Sequence, residues 1–366
     1  MSLIDRYLAR EILLPFASGL LFLTQVLLAT QVLSQAELLF GAGVSLLDVA
    51  VIIGAMLPRI LGFVLPVAFL LGAVLGVARL AEDREVIALG AAGLSPSRLV
   101  RVPLALGILA AGLGLVLSLA VEPASLRVAR LKLNDVVKSN LTKNVRAGTF
   151  FEDIPNFTMY AERVRGGELE NVLISDRSNP SAAVLALARK GRLEPLSAGD
   201  EVRLVLENGE LHREDAAAGE YAAASFQRGE VPVGLGAALS NRSSRGSGEF
   251  TVPELRRAAR EAPNDDERRR LEAYLQRRIA NPLAMVAFAI LAVPLGATRR
   301  AGRAFGVVAT FAGVVVQYLL LRGGEVLAQR AALPPVLALQ LGNVFLVAAG
   351  IALVLRMERR GVGAVR

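Results

Sequence analysis

The chain has 366 residues, a net charge of +8 and 54% apolar side chains, which exceeds the roughly 45–50% of soluble domains. It contains no cysteine, so disulfides and thiolate metal sites are excluded. With a single histidine, His212, we expect neither a histidine-based metal site nor a catalytic triad, and we predict no catalytic residue and no bound cofactor.

Six apolar stretches are long enough to cross a bilayer, for which about 20 mostly apolar residues suffice. In chain order they are Ile12–Gln35, Ile60–Leu80, Leu99–Val121, Ile279–Ala297, Ala304–Leu321 and Pro335–Leu355. The first has no small-residue cleavage motif after a short apolar core, so it is predicted to be a retained span. The fold class that follows is a membrane α-helical protein with six transmembrane helices, three in each half.

A polar block separates the two halves and is predicted to be an inserted all-β, jellyroll-like domain with flanking helices. Short β-type runs begin near Phe157 and are separated by turn signals at Gly166-Gly167, Asn179-Pro180 and Asn208-Gly209. Asn208-Gly209 is interpreted as a hairpin turn. The predicted organisation is a membrane half at 1–121, the block at 122–276 and a second membrane half at 277–366.

The distribution of charge predicts the topology and excludes a nucleic-acid partner. The block Glu122–Gln276 holds 23 basic and 24 acidic residues, so the positive excess belongs to the membrane halves. There the arginines gather near both termini, within Arg79–Arg101 and within Arg299–Arg303. Because basic residues in short loops stay cytoplasmic, we expect both termini inside and the block outside.

The turn between the second and third spans is the most informative short segment. It predicts a short helix, at about 81–94, on the cytoplasmic surface. The segment has acids at its start, then an apolar face, then glycines at its end, and Ser95-Pro96 is predicted to start the third span. The acids are Glu82, Asp83 and Glu85, and the apolar face is Val86, Ile87 and Leu89. From the pattern alone, two interpretations stay open: a docking element for another protein, or a tight turn whose charges face water.

Several loose motifs, in a specific order, resemble the LptF/LptG permease family over nearly the whole chain. They include Asp5-Arg-Tyr-Leu-Ala-Arg-Glu11 before the first span, the Arg79–Ser95 turn, and Val293-Pro-Leu-Gly296 with Gly302-Arg303; Leu57-Pro58, Leu65-Pro66 and Leu333-Pro-Pro335 followed by Asn343 also match. Glu168–Leu173 and Arg189–Arg192 make the chain more similar to the LptF side.

The resemblance implies a lipopolysaccharide-export permease in the inner membrane of a Gram-negative bacterium. It implies a heterodimer with a homologous permease, a dimeric cytoplasmic ABC ATPase and a periplasmic β-jellyroll bridge protein as partners. The chain lacks a Gly-x-x-x-x-Gly-Lys loop, so ATP is expected to be used by the partner. On this resemblance Glu85 is expected to dock into the ATPase, and the surrounding coupling residues are Glu82, Arg84, Val86, Ile87, Leu89 and Gly93.

Residues for the lipid path are less sharply predicted. Family members often carry basic residues near the outer end of the first span, where this chain has Gln31 and Ser34. Arg59 is a candidate substitute, although it could instead reach the membrane surface. Arg322 and Glu325 are predicted to pair with each other at i and i+3, with a lipid-gate role as the alternative. In the β-domain, the groove or edge candidates are Phe157, Met159 and Ala161.

Two other function classes stay open at this stage. One is a membrane-anchored periplasmic sensor or scaffold, and the other is a different ABC permease whose outer domain transmits force. A scaffold does not need spans interrupted by glycine and proline, and the force-transmitting type is expected to have four spans.

Overall fold

The computed structural model describes residues 3–34, 45–143, 147–154, 157–165, 167–177, 183–195, 202–215, 220–232, 246–297 and 302–360. The predicted turns at Gly166 and Asn179-Pro180, the basic residues Arg299 and Arg300, and most of the stretch 239–248 lie outside the described residues. The chain divides into two compact units. The first combines residues 1–34, 53–127 and 247–366, and the second combines residues 35–52 and 128–246.

Nine α-helices are described, and the described residues contain six candidate membrane spans. They are α1 (Leu3–Ser34), α2 (Leu46–Glu82), α3 (Glu85–Ala91), α4 (Pro96–Val116), α5 (Glu122–Lys143), α6 (Val252–Arg260), α7 (Asp265–Gly296), α8 (Gly302–Gln329) and α9 (Pro335–Arg360). A five-residue π-helical segment, Leu117–Val121, joins α4 to α5. The prediction of three apolar spans on each side of a β-domain is therefore confirmed.

The second span begins earlier than the sequence predicted. Helix α2 starts at Leu46, where the prediction placed the start at Ile60, and it contains both Pro58 and Pro66. The two prolines do not interrupt the helix, because neighbouring helices can satisfy the backbone groups that a proline frees inside a membrane bundle. One such neighbour is α7, whose Asn281 Nδ2 donates to the Gly62 carbonyl oxygen at 3.0 Å.

Helix α7 is the centre of the first unit. Its alanines, together with Met285 and Phe288, are almost fully buried. Small residues let the neighbouring helices approach closely: a Cβ on Gly107 of α4 would lie 2.9 Å from the Ala289 Cβ, and one on Gly296 would lie 2.7 Å from the Val74 carbonyl oxygen. Close approach of small residues is the usual way in which helices pack without a hydrophobic driving force in lipid.

The second unit contains a six-stranded antiparallel sheet whose strands follow chain order. The strands are β1 (Phe150–Ile154), β2 (Phe157–Arg165), β3 (Glu168–Asp176), β4 (Ala183–Pro195), β5 (Val202–Asp215) and β6 (Glu220–Pro232). Their buried side chains include Met159, Ile174, Leu204 and Leu206. The predicted all-β domain is confirmed, with strands that are longer than the sequence suggested.

The predicted hairpin at Asn208-Gly209 is wrong, because β5 continues through both residues. Asn208 does adopt a left-handed conformation, with φ of 53°. However, Glu207 pairs with Lys190 and Gly209 pairs with Ala188, so the ladder resumes in the same register on both sides. The asparagine rotates the strand without reversing it.

Asn171 makes a similar rotation in β3, where φ is 50°. On this strand Leu169, Val172 and Ile174 are buried, so the two-residue alternation is interrupted at Asn171. Bends of this kind allow a strand to pass from one layer of a β-sandwich to the other, which agrees with the jellyroll-like class.

Candidate functional site

A cavity in the first unit has a volume of about 660 Å³. Its lining combines an apolar wall with a concentrated set of charges. The apolar residues include Phe63, Val67, Phe288, Val314 and Leu321; the charged residues are Arg59, Glu122, Arg277, Arg278, Arg322 and Glu325. Four arginines and two glutamates leave an excess of two positive charges.

The cavity lies at one end of the helix bundle. Its residues come from the middle of α2, from the π-helical segment and the first residue of α5, from the middle of α7 and from the second half of α8. Its charged residues all lie in the part of their helix that is remote from the turn containing α3. The sequence predicts that this turn is cytoplasmic, so the cavity belongs to the opposite half of the bundle.

Glu325 connects two of the cavity arginines. Its Oε1 is 3.2 Å from Arg277 Nη1 of α7, and its Oε2 accepts a hydrogen bond from Arg322 Nη1 of α8. The Glu325 side chain is only 8% exposed. The predicted Arg322–Glu325 pair is confirmed, and the structure adds Arg277 as a third member that links two helices.

Arg278 is anchored differently. Although 4% exposed, it donates to the carbonyl oxygens of Phe250 at 2.8 Å and of Gly248, so it holds the chain segment that precedes α6. The guanidinium carbons of Arg277 and Arg278 each lie 4.9 Å from the centre of the Tyr274 ring, within cation–π distance.

Arg59 has no hydrogen bond or ion pair within the described part of the chain. It is exposed to the cavity and lies within electrostatic range of Glu122. A cation without a close partner, next to an apolar wall, suits a ligand that has both an anionic group and acyl chains.

The structure brings together only some of the predicted lipid-path residues. Arg59, Arg322 and Glu325 line the cavity, whereas Gln31 and Ser34 do not. Gln31 and Ser34 belong to the last turn of α1, where the Ser34 hydroxyl donates to the Gln31 carbonyl oxygen at 2.8 Å.

Sequence reasoning missed three cavity residues: Glu122, Arg277 and Arg278. It started the fourth span at Ile279 and gave the two arginines before it no role. One feature could have indicated the two arginines: the helix is continuous from Asp265 to Gly296. Arg277 and Arg278 therefore belong to the same helix as the apolar run and directly precede it.

The predicted coupling segment forms the short helix α3. The bounds need correction: Glu82 is the last residue of α2, and α3 starts at Glu85 after Arg84, whose φ is 59°. Gly93 has φ of 86° and follows the helix, and Ser95 is the N-cap of α4 with Pro96 in its first turn.

The apolar face of α3 also needs correction. Val86 is 1% exposed and belongs to the core of the first unit, and Leu89 packs against that core. Both residues therefore anchor α3 to its own chain. Glu82 and Arg84 are exposed, while Glu85 and Ile87 are half-buried.

In the sheet, Met159 and Ala161 are fully buried, so they form part of a packed core. The backbone of Phe157 pairs with Asp176, and its side chain lies outside the described residues.

Six spans, a β-sheet domain and a positively charged, partly apolar cavity define an integral membrane protein suited to a lipid-like anion. The family model "Lipopolysaccharide export system permease LptF/LptG" matches residues 6–356, and the chain belongs to this family. A search of curated proteins found no match. Family membership makes the chain an inner-membrane transport protein of the lipopolysaccharide export system, not a catalytic enzyme.

Proposed function

We propose that the chain is a transmembrane subunit of an ABC transporter that extracts lipopolysaccharide from the inner membrane and passes it to a periplasmic β-jellyroll bridge towards the outer membrane. The cavity is the observation that carries this proposal. It offers apolar side chains for acyl chains and an excess of positive charge for phosphate groups.

Orientation supports the proposal. With the arginine-rich turns in the cytoplasm, both termini are cytoplasmic, the β-domain is periplasmic, and the cavity faces the outer half of the bilayer. The proposed substrate is extracted from that half of the bilayer, so this orientation would give the lipid direct access to the cavity.

Within the cavity, Arg59 is the first candidate to bind phosphate, because its guanidinium group has no close partner in the described part of the chain. Arg277 and Arg322 are held by Glu325. A phosphate that approaches them must compete with this carboxylate, which allows binding to be reversible.

Energy for the cycle comes from a separate dimeric ABC ATPase, and a homologous permease completes the membrane pore. Glu85 of α3 is the docking acid, with Arg84, Glu82 and Ile87 as exposed or half-exposed neighbours. Val86, Leu89 and Gly93 act indirectly by fixing the position and the end of α3.

The β-domain contributes through its sheet edges. Among the described strands, β1 and β6 are the outermost, and an outer strand can pair with a strand of another protein. The burial of Met159 and Ala161 means that a lipid path along this face requires the sheet to open, with Phe157 as the remaining groove candidate.

The test replaces Arg59 with glutamine in the full transporter complex, reconstituted in proteoliposomes with lipopolysaccharide. A charge-assisted contact contributes about 1.5–3 kcal/mol, so apparent affinity for lipopolysaccharide should fall roughly tenfold or more. Arg330→Gln is the matched control, since Arg330 is an exposed arginine on the adjoining turn that does not line the cavity.

A second arm uses lipopolysaccharide from which the lipid A phosphates have been removed. The wild-type complex should bind it about as weakly as Arg59→Gln binds the intact lipid, and the variant should show little further loss. Equal affinity of the wild type for both lipids would contradict phosphate recognition in the cavity.

A further inference from the structure

The Leu3 end of α1 is bonded to the coupling segment at two points. The Tyr7 hydroxyl donates to Glu85 Oε1 at 3.1 Å. One turn further along α1, Glu11 Oε2 accepts a hydrogen bond from Arg79 Nη1 at 2.6 Å. Arg79 belongs to the last turns of α2, so α1 contacts both helices that flank the Asp83-Arg84 turn.

The same part of α1 is packed tightly against α2. Leu8 and Ile12 are buried in the core of the first unit. A Cβ on Gly76 would lie 2.8 Å from the Glu11 carbonyl oxygen, and one on Gly72 would lie 2.6 Å from the Phe16 backbone nitrogen. No side chain separates the two backbones here.

The remainder of α1 is very different. Only 6% of its most apolar window is buried, and Leu21, Phe22 and Leu33 are largely exposed. Among the described residues, α1 therefore packs against its own chain from Leu8 to about Leu20 and is largely exposed beyond Leu20. A displacement applied at the packed end can move the whole helix as a lever.

We propose that Tyr7 is a positioning residue for Glu85 and that, through this hydrogen bond, α1 moves together with α3 when the ATPase pulls on Glu85. The inference rests on the proposed coupling role of Glu85. It adds a residue on another helix and a direction in which the movement is transmitted.

The chemistry of the contact fits this role. Tyr7 donates to one carboxylate oxygen, Oε1, and leaves Oε2 for a cation of the ATPase. A neutral hydroxyl orients the carboxylate without cancelling its charge, and the ion pairs found among the described residues do not include Glu85. Fixing the side chain in advance reduces the entropy that docking must otherwise overcome.

The experiment titrates the partner ATPase onto the permease heterodimer in nanodiscs, with Tyr7→Phe in this chain. This substitution removes one hydroxyl and keeps the ring. We expect the ATPase to bind about 3- to 10-fold more weakly, and fewer lipopolysaccharide molecules to be moved per ATP hydrolysed in proteoliposomes. Ser18→Ala is the matched control, because it removes a hydroxyl of the same helix that bonds only the Pro15 carbonyl oxygen.

A double-mutant cycle with Glu85→Ala separates positioning from a general structural role. If Tyr7 acts through Glu85, Tyr7→Phe should have no additional effect on ATPase affinity once the carboxylate is absent. An equal loss in both backgrounds would overturn the inference, as would wild-type affinity for Tyr7→Phe when Glu85→Ala alone is impaired. Unchanged affinity in Glu85→Ala would instead overturn the coupling role itself and, with it, the inference.

Discussion

The two ends of the first unit differ in the bonds that a glutamate makes there. At the cavity end, Glu325 is shared between Arg277 and Arg322. At the coupling end, Glu85 accepts a hydrogen bond from the neutral Tyr7 hydroxyl. Glu325 is thus paired with two arginines, whereas the ion pairs of the described residues include none with Glu85.

This difference indicates which molecules each end can bind. A carboxylate that is already paired with two arginines does not attract an external cation. A more highly charged anion, such as a phosphate, can displace it from the arginines. An acid that is oriented but not neutralised attracts a cation from a partner. Under the proposed function, the cavity end would therefore bind an anionic lipid, and the end that carries Glu85 would bind a basic groove of another protein.

The largest effect is expected from chemical labelling of the two ends. The chain has no cysteine, so Ser97→Cys at the start of α4 and Ala332→Cys after α8 can be labelled without background. Both residues are exposed. An impermeant thiol reagent added to intact spheroplasts should label Ala332→Cys and leave Ser97→Cys unlabelled. Labelling of both, or the reverse pattern, would refute the assignment of the ends to opposite membrane faces.

The next largest effect is expected at the coupling end. Glu85→Gln keeps the shape of the side chain and removes its charge. Leaving a partner charge unpaired in an interface costs about 2–5 kcal/mol, so transport should be lost while membrane insertion is unchanged. Glu358→Gln is the control, since Glu358 is a neighbouring acid that accepts from the Ser97 backbone nitrogen. Lipopolysaccharide export would be measured in cells that depend on the variant; normal export would contradict the docking role.

A smaller effect, mainly on stability, is expected at the cavity end. Glu325→Gln removes the carboxylate that Arg277 and Arg322 share, so the temperature of unfolding in detergent should fall by several degrees. Glu272→Gln breaks an exposed pair with Arg268 and should have much less effect. Lipopolysaccharide should restore more stability to Glu325→Gln than to the wild type, because its phosphates can replace the missing carboxylate. Equal stabilisation of both would argue against this competition.

The sequence predicted the six spans and the β-domain because long apolar runs and alternating strands are local patterns. It also predicted Arg322–Glu325, since two residues at i and i+3 on a helix are neighbours whatever the tertiary structure. Contacts between elements could not be predicted in this way. Arg277 joins Glu325 from another helix, and Tyr7 meets Glu85 across 78 sequence positions.

Two errors have physical causes that are visible in the structure. Asn208-Gly209 carries the backbone preference of a tight turn, but pairing of β5 with β4 on both sides keeps the strand continuous. The sequence offered Val86, Ile87 and Leu89 as one apolar face, and the pattern alone could not show which side of α3 is buried. Packing against the core decides that side.

The last prediction concerns the contact between α1 and α2, on which the difference between the two ends depends. A Cβ on Gly72 would lie 2.5 Å from the Phe16 Cβ and 2.6 Å from its backbone. Backbone atoms cannot rotate away, so Gly72→Ala must push α1 outward. Overpacking of this kind costs about 1–3 kcal/mol, and it should lower the unfolding temperature and weaken the Tyr7–Glu85 contact.

Gly54→Ala in the same helix is the control, because nothing lies within 4 Å of its added Cβ and alanine favours the helix. If α1 transmits movement from α3, Gly72→Ala should also reduce the lipopolysaccharide moved per ATP, whereas Gly54→Ala should not. If stability falls but the amount of lipopolysaccharide moved per ATP is unchanged, the contact between α1 and α2 holds the bundle together without coupling its two ends.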